Sequence, residues 1–395
     1  YLSLSEAELI SLLTSEKSSV WLARGLTVET AEAIRRLGLP GIRLVQRPQR
    51  YYPQGSLAAH VLGIAGTDNQ GLEGIEYFYD EILRGIPGQQ ATERDAAQRS
   101  IPGGETKVVP PQPGHDLVLT IDTVIQYIAE THIQQAVISS NSERGLVLVM
   151  NPKTGEILAN AIYPTFDPNY YQEVSAERRR NVAITDQYEP GSTFKFVTAA
   201  AALDLGITDE HRIFESPSAW EVGGGRVRNL DGRAFGRVTF REAIERSDNI
   251  TFAKLSVEMG PDRFYRYIQN FGFGRRLGVD FPGEIAGTVL SPSRSGQTLQ
   301  WANTGFGQGI AVTPLQLLTA VCAVANDGKL MRPHFVKEIR DAHGQLVKHV
   351  EPEVLGTPIS PQTAALVSEL LRSVVVNGNG NRAEVPGYFV AGKTG

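Results

Sequence analysis

A serine and a lysine three residues apart, placed directly after a chain break, constrain this 395-residue sequence more than any other feature. Glu189-Pro190-Gly191 interrupts regular structure. Thr193 to Leu205 then runs as an Ala-rich apolar segment that Gly206 can close, so the sequence predicts a helix with Ser192 at its N-terminus. There the Ser192 hydroxyl meets the positive end of the helix dipole, and Lys195 projects from the same face of the first turn. A plain capping serine followed by a solvated lysine would leave the same letters. Phe194, Phe196, Val197 and Ala200-Ala201-Ala202 argue against it, because they mark a buried helix, and a lysine at its start then needs a role. A serine hydroxyl is a poor nucleophile at neutral pH, and a lysine whose pKa is lowered by burial and a neighbouring cation can take its proton.

Two more short motifs follow in order. Ser192-Thr193-Phe194-Lys195 is succeeded by Ser247-Asp248-Asn249 and then by Lys393-Thr394-Gly395. The trio S-x-x-K, S-D-N and K-T-G belongs to enzymes that acylate a serine. By accident, a chain of this length carries about one or two S-x-x-K matches, about one S-x-N and roughly a tenth of a K-T-G, so no single motif decides. Decoys are present too, at Ser139-Ser140-Asn141 and Lys153-Thr154-Gly155. The latter lies in turn chemistry, Asn151-Pro152-Lys153-Thr154-Gly155, between the apolar runs Gly145 to Met150 and Glu156 to Ile162, and reads as a hairpin tip.

Beyond the trio, most of the chain resembles class B penicillin-binding proteins, the peptidoglycan D,D-transpeptidases of bacterial walls. Arg50-Tyr51-Tyr52-Pro53, Ala58 to Gly63 and Gly71 to Glu76 resemble the family's non-catalytic pedestal, a dimerisation-type domain. Leu119 to Asp122, Asn151 to Ala159, Phe271 to Gly274, Gly307 to Ile310 and Thr313 to Gln316 resemble its catalytic domain. The short link Gly66 to Gly71 is more similar to division and sporulation members than to cell-elongation members. The resemblance implies an α+β fold: a penicillin-binding, serine β-lactamase-like domain with an antiparallel sheet and helices on both sides, preceded by the pedestal.

It also implies roles. Ser192 is the nucleophile and Lys195 its base, with Lys393 as the nearby cation. Ser247 relays a proton between Lys393 and the leaving amine. Asn249 holds the substrate amide, while Thr394 with Lys393 binds the terminal carboxylate, and Gly395 counts with these substrate-binding residues. Asp248 fills a variable place without a catalytic role. The Ser192 backbone N–H supplies one of two oxyanion donors. The other belongs to the residue after Gly395, which, together with an absent pairing strand and covering helix, implies a longer natural chain.

Composition narrows the alternatives. At 41% hydrophobic and 21% charged, the chain is an ordinary globular sequence long enough for two or more domains. A net charge of -5, a pI near 5.9 and no basic tract argue against a nucleic-acid partner. The single cysteine, Cys322, lies in an apolar stretch, Pro314 to Ala325, that Thr313 can cap and Asn326-Asp327-Gly328 can end, so a packed thiol is expected. Seven histidines stand without metal spacing, and Gly305, Gly307 and Gly309 lack the context of a dinucleotide site, so neither metal nor cofactor is implied. No apolar stretch reaches the ~18 residues of a membrane span. By resemblance, an N-terminal anchor lies outside this sequence and the catalytic body is extracytoplasmic. The partners it implies are peptidoglycan stem peptides, β-lactams and a glycosyltransferase of the division or sporulation machinery.

Along the chain, residues 1–112 are read as the pedestal and 113–395 as the transpeptidase domain. The second part opens with a strand from Asp116 to Ile121, and Asp122 then caps a helix to about Ser139. Gly223-Gly224-Gly225 reads as a loop, about Phe240 to Arg246 as a helix delivering Ser247, Ser360-Pro361 as the start of a long helix ending near Asn377, and Tyr388 to Gly395 as a strand. Helices against an antiparallel sheet make an α+β architecture.

Two rivals remain. A class A β-lactamase needs a glutamate in a Glu-x-x-Leu-Asn loop, but Gly287 and Thr288 follow Glu284 where Leu and Asn should stand. A non-catalytic scaffold or β-lactam sensor has no need for a complete set of poised polar groups. In cells that depend on this protein, Ser192→Ala should abolish its part in wall synthesis. Normal wall synthesis in that strain would favour the scaffold.

Overall fold

The computed structural model describes residues 2, 4–17, 19–45, 49–93, 106–292 and 298–395. Its clearest sheet element is the hairpin Gly145–Met150 and Ile157–Tyr163, paired antiparallel from Gly145 with Tyr163 to Met150 with Ile157. The Lys153-Thr154-Gly155 decoy sits at its tip, with Gly155 at φ +83 and its Cα against the Arg332 carbonyl. Side chains of a strand alternate between faces. Val147, Val149, Ala159 and Ala161 meet Ile125, Ala129 and Ile133 of the helix Thr123–Ser140. On the other side, Met150 packs with Leu318 and Cys322 of the helix Pro314–Ala325. The hairpin therefore has helices on both sides, and every strand ladder among the described residues is antiparallel.

Capping chemistry sets the helix boundaries. Asp122 accepts from the N–H groups of Val124 and Ile125, at 2.9 and 3.0 Å. Thr313 with Gln316, and Thr239 with Glu242, form reciprocal capping boxes. Ser360 caps Pro361–Val376.

The catalytic core is built around the predicted Ser192 helix. A 3₁₀ turn, Gly191–Phe194, leads into the α-helix Lys195–Asp204, whose first eight residues are all buried. Ala199 to Ala202 bring no bulk, which allows the helices Asn249–Met259, Pro261–Asn270 and Pro361–Val376 to pack against this one. Phe194 and Phe196 meet Phe273 and Phe271 edge-on, with centroids 5.2 and 6.3 Å apart. Asp204 fixes the far end, accepting from Ser360 Oγ at 2.9 Å, Thr363 Oγ1 at 2.7 Å and Tyr267 Oη at 2.7 Å.

The first part of the chain shares a core with the second. Ala58, Val61 and Ile75 are buried with Ala183, Ile184, Phe281 and Phe335. Polar contacts also cross between them, among them the Arg179–Glu73 ion pair at 2.8 Å and the hydrogen bond from Tyr79 to Asp280 at 3.0 Å.

One expectation is sharpened and one is corrected. The Gly223-Gly224-Gly225 loop is the tip of a hairpin, Ala219–Val222 with Gly225–Arg228, because Gly223 and Gly224 at φ +58 and +81 supply the turn. Tyr388 to Gly395 is irregular. No strand lies alongside it among the described residues, and its backbone is tied to the core through the Gly392 N–H to the Leu371 carbonyl, at 3.1 Å.

The glycine cluster near residue 307 proves to be a packing device. The Gly191 N–H donates to the Gly307 carbonyl at 3.0 Å, and a Cβ on Gly307, at φ +84, would come 2.1 Å from the Gly191 carbonyl oxygen. Gly307→Ala should therefore displace the turn that carries Ser192 and cost about 1–3 kcal/mol of stability, from strain and overlap. Chemical denaturation checks this, and a loss below ~0.5 kcal/mol would show that the turn can move freely.

Candidate active site

Lys195 is the point at which the site's side chains converge. Its side chain is fully buried, yet Nζ has four oxygen neighbours: Ser192 Oγ at 3.1 Å, Ser247 Oγ at 3.0 Å, the Ser247 carbonyl at 2.7 Å and Asn249 Oδ1 at 2.7 Å. The Phe252 ring lies 5.5 Å away. Burial holds the Lys195 ammonium well below the ordinary lysine range, the Lys393 charge adds to this, and the Asp248 carboxylate opposes it.

The neutral amine fits its neighbours. It has two N–H bonds and one lone pair. The Ser247 carbonyl and Asn249 Oδ1 can only accept, so they take the two N–H bonds and leave the lone pair for a hydroxyl proton. The orientation of Asn249 follows from its other contact, Nδ2 donating to the Arg228 carbonyl at 3.0 Å.

Local structure explains how each group arrives. Ser192 sits in the first turn of the 3₁₀ segment, where leading N–H groups lack intrahelical acceptors, so its amide is suited to receive an oxyanion. Ser247 occupies a left-handed conformation, φ +56, between the helices Phe240–Glu245 and Asn249–Met259. That junction turns both its carbonyl and its hydroxyl toward Lys195. Asp248 is buried and caps the second helix, accepting from the Ile250 N–H at 2.9 Å and Thr251 Oγ1 at 2.6 Å. Its role is to hold Ser247 and Asn249 on either side of it.

The third motif approaches more loosely. A Cβ built on Gly395 would lie 3.0 Å from Thr193 Cγ2, so Lys393-Thr394-Gly395 passes beside the Ser192 turn. Burial pushes the Lys393 pKa down to about 8. Its Nζ donates to the Thr394 carbonyl at 2.9 Å, and the Thr394 hydroxyl donates to Asn379 Oδ1 at 3.2 Å. Lys393 makes no hydrogen bond to Ser247 among the described residues, and it reaches the other groups through its charge.

Several site residues carried no sequence signal. Asn229 is buried and accepts from the Asn249 N–H at 2.8 Å, while Glu189 accepts from the Gly309 N–H at 2.8 Å. Isolated polar letters of this kind look like any surface residue until the fold buries or pairs them. Glu284, which a hydrolytic rival would need, is occupied with the N–H groups of Leu277 and Gly278, at 2.5 and 3.0 Å. Cys322 is buried, and burial pushes its thiol up to about 12, as a packing residue requires.

Known proteins share this sequence and fold. Residues 4–119 match the family model described as the penicillin-binding protein dimerisation domain, and residues 145–395 that of the penicillin-binding protein transpeptidase domain. The chain is 38% identical over 375 residues to stage V sporulation protein D of Bacillus subtilis, covering 94% of this chain and 58% of that protein. It is 30% identical over 378 residues to peptidoglycan D,D-transpeptidase FtsI of Escherichia coli, covering 95% of this chain and 61% of that one. It thus spans about three fifths of these relatives. The solved structure of penicillin-binding protein 3 from Mycobacterium tuberculosis complexed with ampicillin is similar at a TM-score of 0.76 and 32% identity, covering 86% of this chain and 73% of that one. Its aztreonam complex is similar at 0.75 with the same identity and coverage.

The two lysines predict opposite limbs of a pH profile. Acylation of Ser192 should rise with pH as Lys195 loses its proton, then fall above pH 8 as Lys393 loses its charge, given its pKa of about 8. In Lys393→Arg the falling limb should disappear, since a guanidinium stays charged. An unchanged profile in that variant would exclude Lys393 as its source.

Proposed function

The chain belongs to the penicillin-binding protein transpeptidase family, and from that premise we propose that it is a serine D,D-transpeptidase that cross-links peptidoglycan stem peptides and is acylated by β-lactams. The observation that carries this reading is the buried Lys195 amine, shared by the Ser192 and Ser247 hydroxyls.

In the proposed reaction, the neutral Lys195 amine takes the Ser192 proton as Oγ attacks the carbonyl of a donor peptide. The tetrahedral oxyanion rests on the Ser192 N–H. The C–N bond to the terminal residue then breaks, and its amine leaves with the proton passed back from Lys195 through Ser247, whose hydroxyl is hydrogen-bonded to Lys195 and not to Lys393 as the resemblance implied. An acceptor amine attacks the resulting ester, its proton returns to Ser192 by the same route, and the cross-link is released. Asn249 holds the donor amide. Lys393, with Thr394 and Gly395, receives the terminal carboxylate.

In this reading, residues 1–112 form the pedestal and 113–395 the transpeptidase domain. A membrane anchor outside this sequence would hold the catalytic body on the extracytoplasmic side, and a glycosyltransferase of the division or sporulation machinery would supply nascent strands. Among the described residues, no helix is long and apolar enough to cross a membrane.

The test is labelling of the protein by a fluorescent penicillin, with mass spectrometry to locate the adduct and follow its lifetime. A long-lived adduct on Ser192 is expected. Rapid turnover would indicate a β-lactamase, and a folded protein that takes no label would refute the proposal. Lys195→Ala should slow acylation by several orders of magnitude, through loss of the base and its positioning. Near-normal labelling of that variant would overturn its role.

A further inference from the structure

We propose, resting on the acyl-transfer reading above, that Arg228 selects donor peptides carrying a free carboxylate on the residue next to the transferred acyl group. A cleft of about 540 Å³ opens beside Asn249. Arg226, Val227 and Arg228 of the hairpin line one wall, and Asn303, Phe306 and Gln308 line the other. The Asn249 side chain is tied to the Arg228 carbonyl at 3.0 Å, so this wall is in register with the residue that would hold the donor amide. Whatever the donor carries beyond that amide enters this cleft.

The charge of the cleft follows from strand pairing. Val227 is buried at 2% exposure, while Arg226 and Arg228 are exposed on either side of it, as strand alternation requires. Arg226 stands opposite Glu221 and is paired with it. Arg228 stands opposite Ala219, and among the described residues it has no ion-pair partner. Of the two arginines lining the cleft, one is thus ion-paired and the other, among the described residues, is not. A planar guanidinium fork suits a carboxylate, with two parallel charge-assisted hydrogen bonds, better than it suits a neutral amide. Asn303 and Gln308 add neutral amides that can bond to the peptide backbone without offsetting the charge.

The proposal is tested with two penicillins that differ by one carboxylate on the side chain: benzylpenicillin, and carbenicillin, which carries the extra group. Second-order rate constants for acylation of Ser192 are measured for the wild type, Arg228→Gln, Arg228→Lys and Arg226→Gln. Both reagents report on the same folded molecules, so any loss of fold cancels in their ratio. In Arg228→Gln the carbenicillin-to-benzylpenicillin ratio should fall about tenfold, equivalent to about 1.4 kcal/mol. Arg228→Lys should recover part of this, and salt should erode the wild-type ratio. Arg226→Gln should change the ratio less than Arg228→Gln does. If both reagents acylate Ser192 and Arg228→Gln leaves the ratio unchanged, this inference fails while the acyl-transfer reading stands. If neither acylates Ser192 in the wild type, both fail.

Discussion

The structure depends on keeping one amine out of water. Lys195 opens a helix whose first eight residues are all buried, and an uncompensated ammonium there would be costly. Compensation comes from four oxygens supplied by three residues, and from a shift toward the neutral form. The same desolvation that penalises the charge makes the amine a base at moderate pH. Stability and chemistry are therefore coupled at this atom. The helix must be buried for Lys195 to work, and Ser192, Ser247 and Asn249 must be in place for it to be buried.

Much of the surrounding architecture keeps those oxygens in position. Ser247 points inward because a left-handed residue joins two helices, and Asp248 stabilises that junction by capping the second. Ser192 is held from the other side by close backbone contact between Gly191 and Gly307, which a side chain at Gly307 would prevent. The Asp204 cluster fixes the far end of the helix to the N-terminus of Pro361–Val376. Beyond the catalytic core, Asp280 accepts from the N–H groups of Phe335 and Val336 and from Tyr79, so one carboxylate links the first part of the chain to the strand that begins at Val336.

Sequence by itself determined the local events. Caps at Asp122, Thr313 and Ser360 and the break at Glu189-Pro190-Gly191 locate helix starts, because capping and helix entry depend on a few neighbouring residues. The hairpin at 145–163 was legible from its apolar runs and turn residues, and the meeting of Ser192 with Lys195 from their spacing. That Ser247 and Asn249 both come to Lys195 was not legible, because the resemblance set Ser247 beside Lys393 and Asn249 on the substrate amide.

Only the tertiary structure decided the rest, because it depends on residues far apart in the chain. Whether Tyr388 to Gly395 forms a strand depends on a partner beside it, since strand hydrogen bonds are made between segments and not within one. The lowered pKa of Lys195 comes from burial by several helices and from a charge at Lys393, almost two hundred residues away. Asn229 is part of the site because a strand end happens to pass the Asn249 amide. That Arg228 lacks an ion pair among the described residues likewise follows from hairpin register, which sets Glu221 against Arg226 and Ala219 against Arg228. Short-range chemistry is written in the letters, whereas desolvation and fields between distant groups exist only once the chain has closed around them.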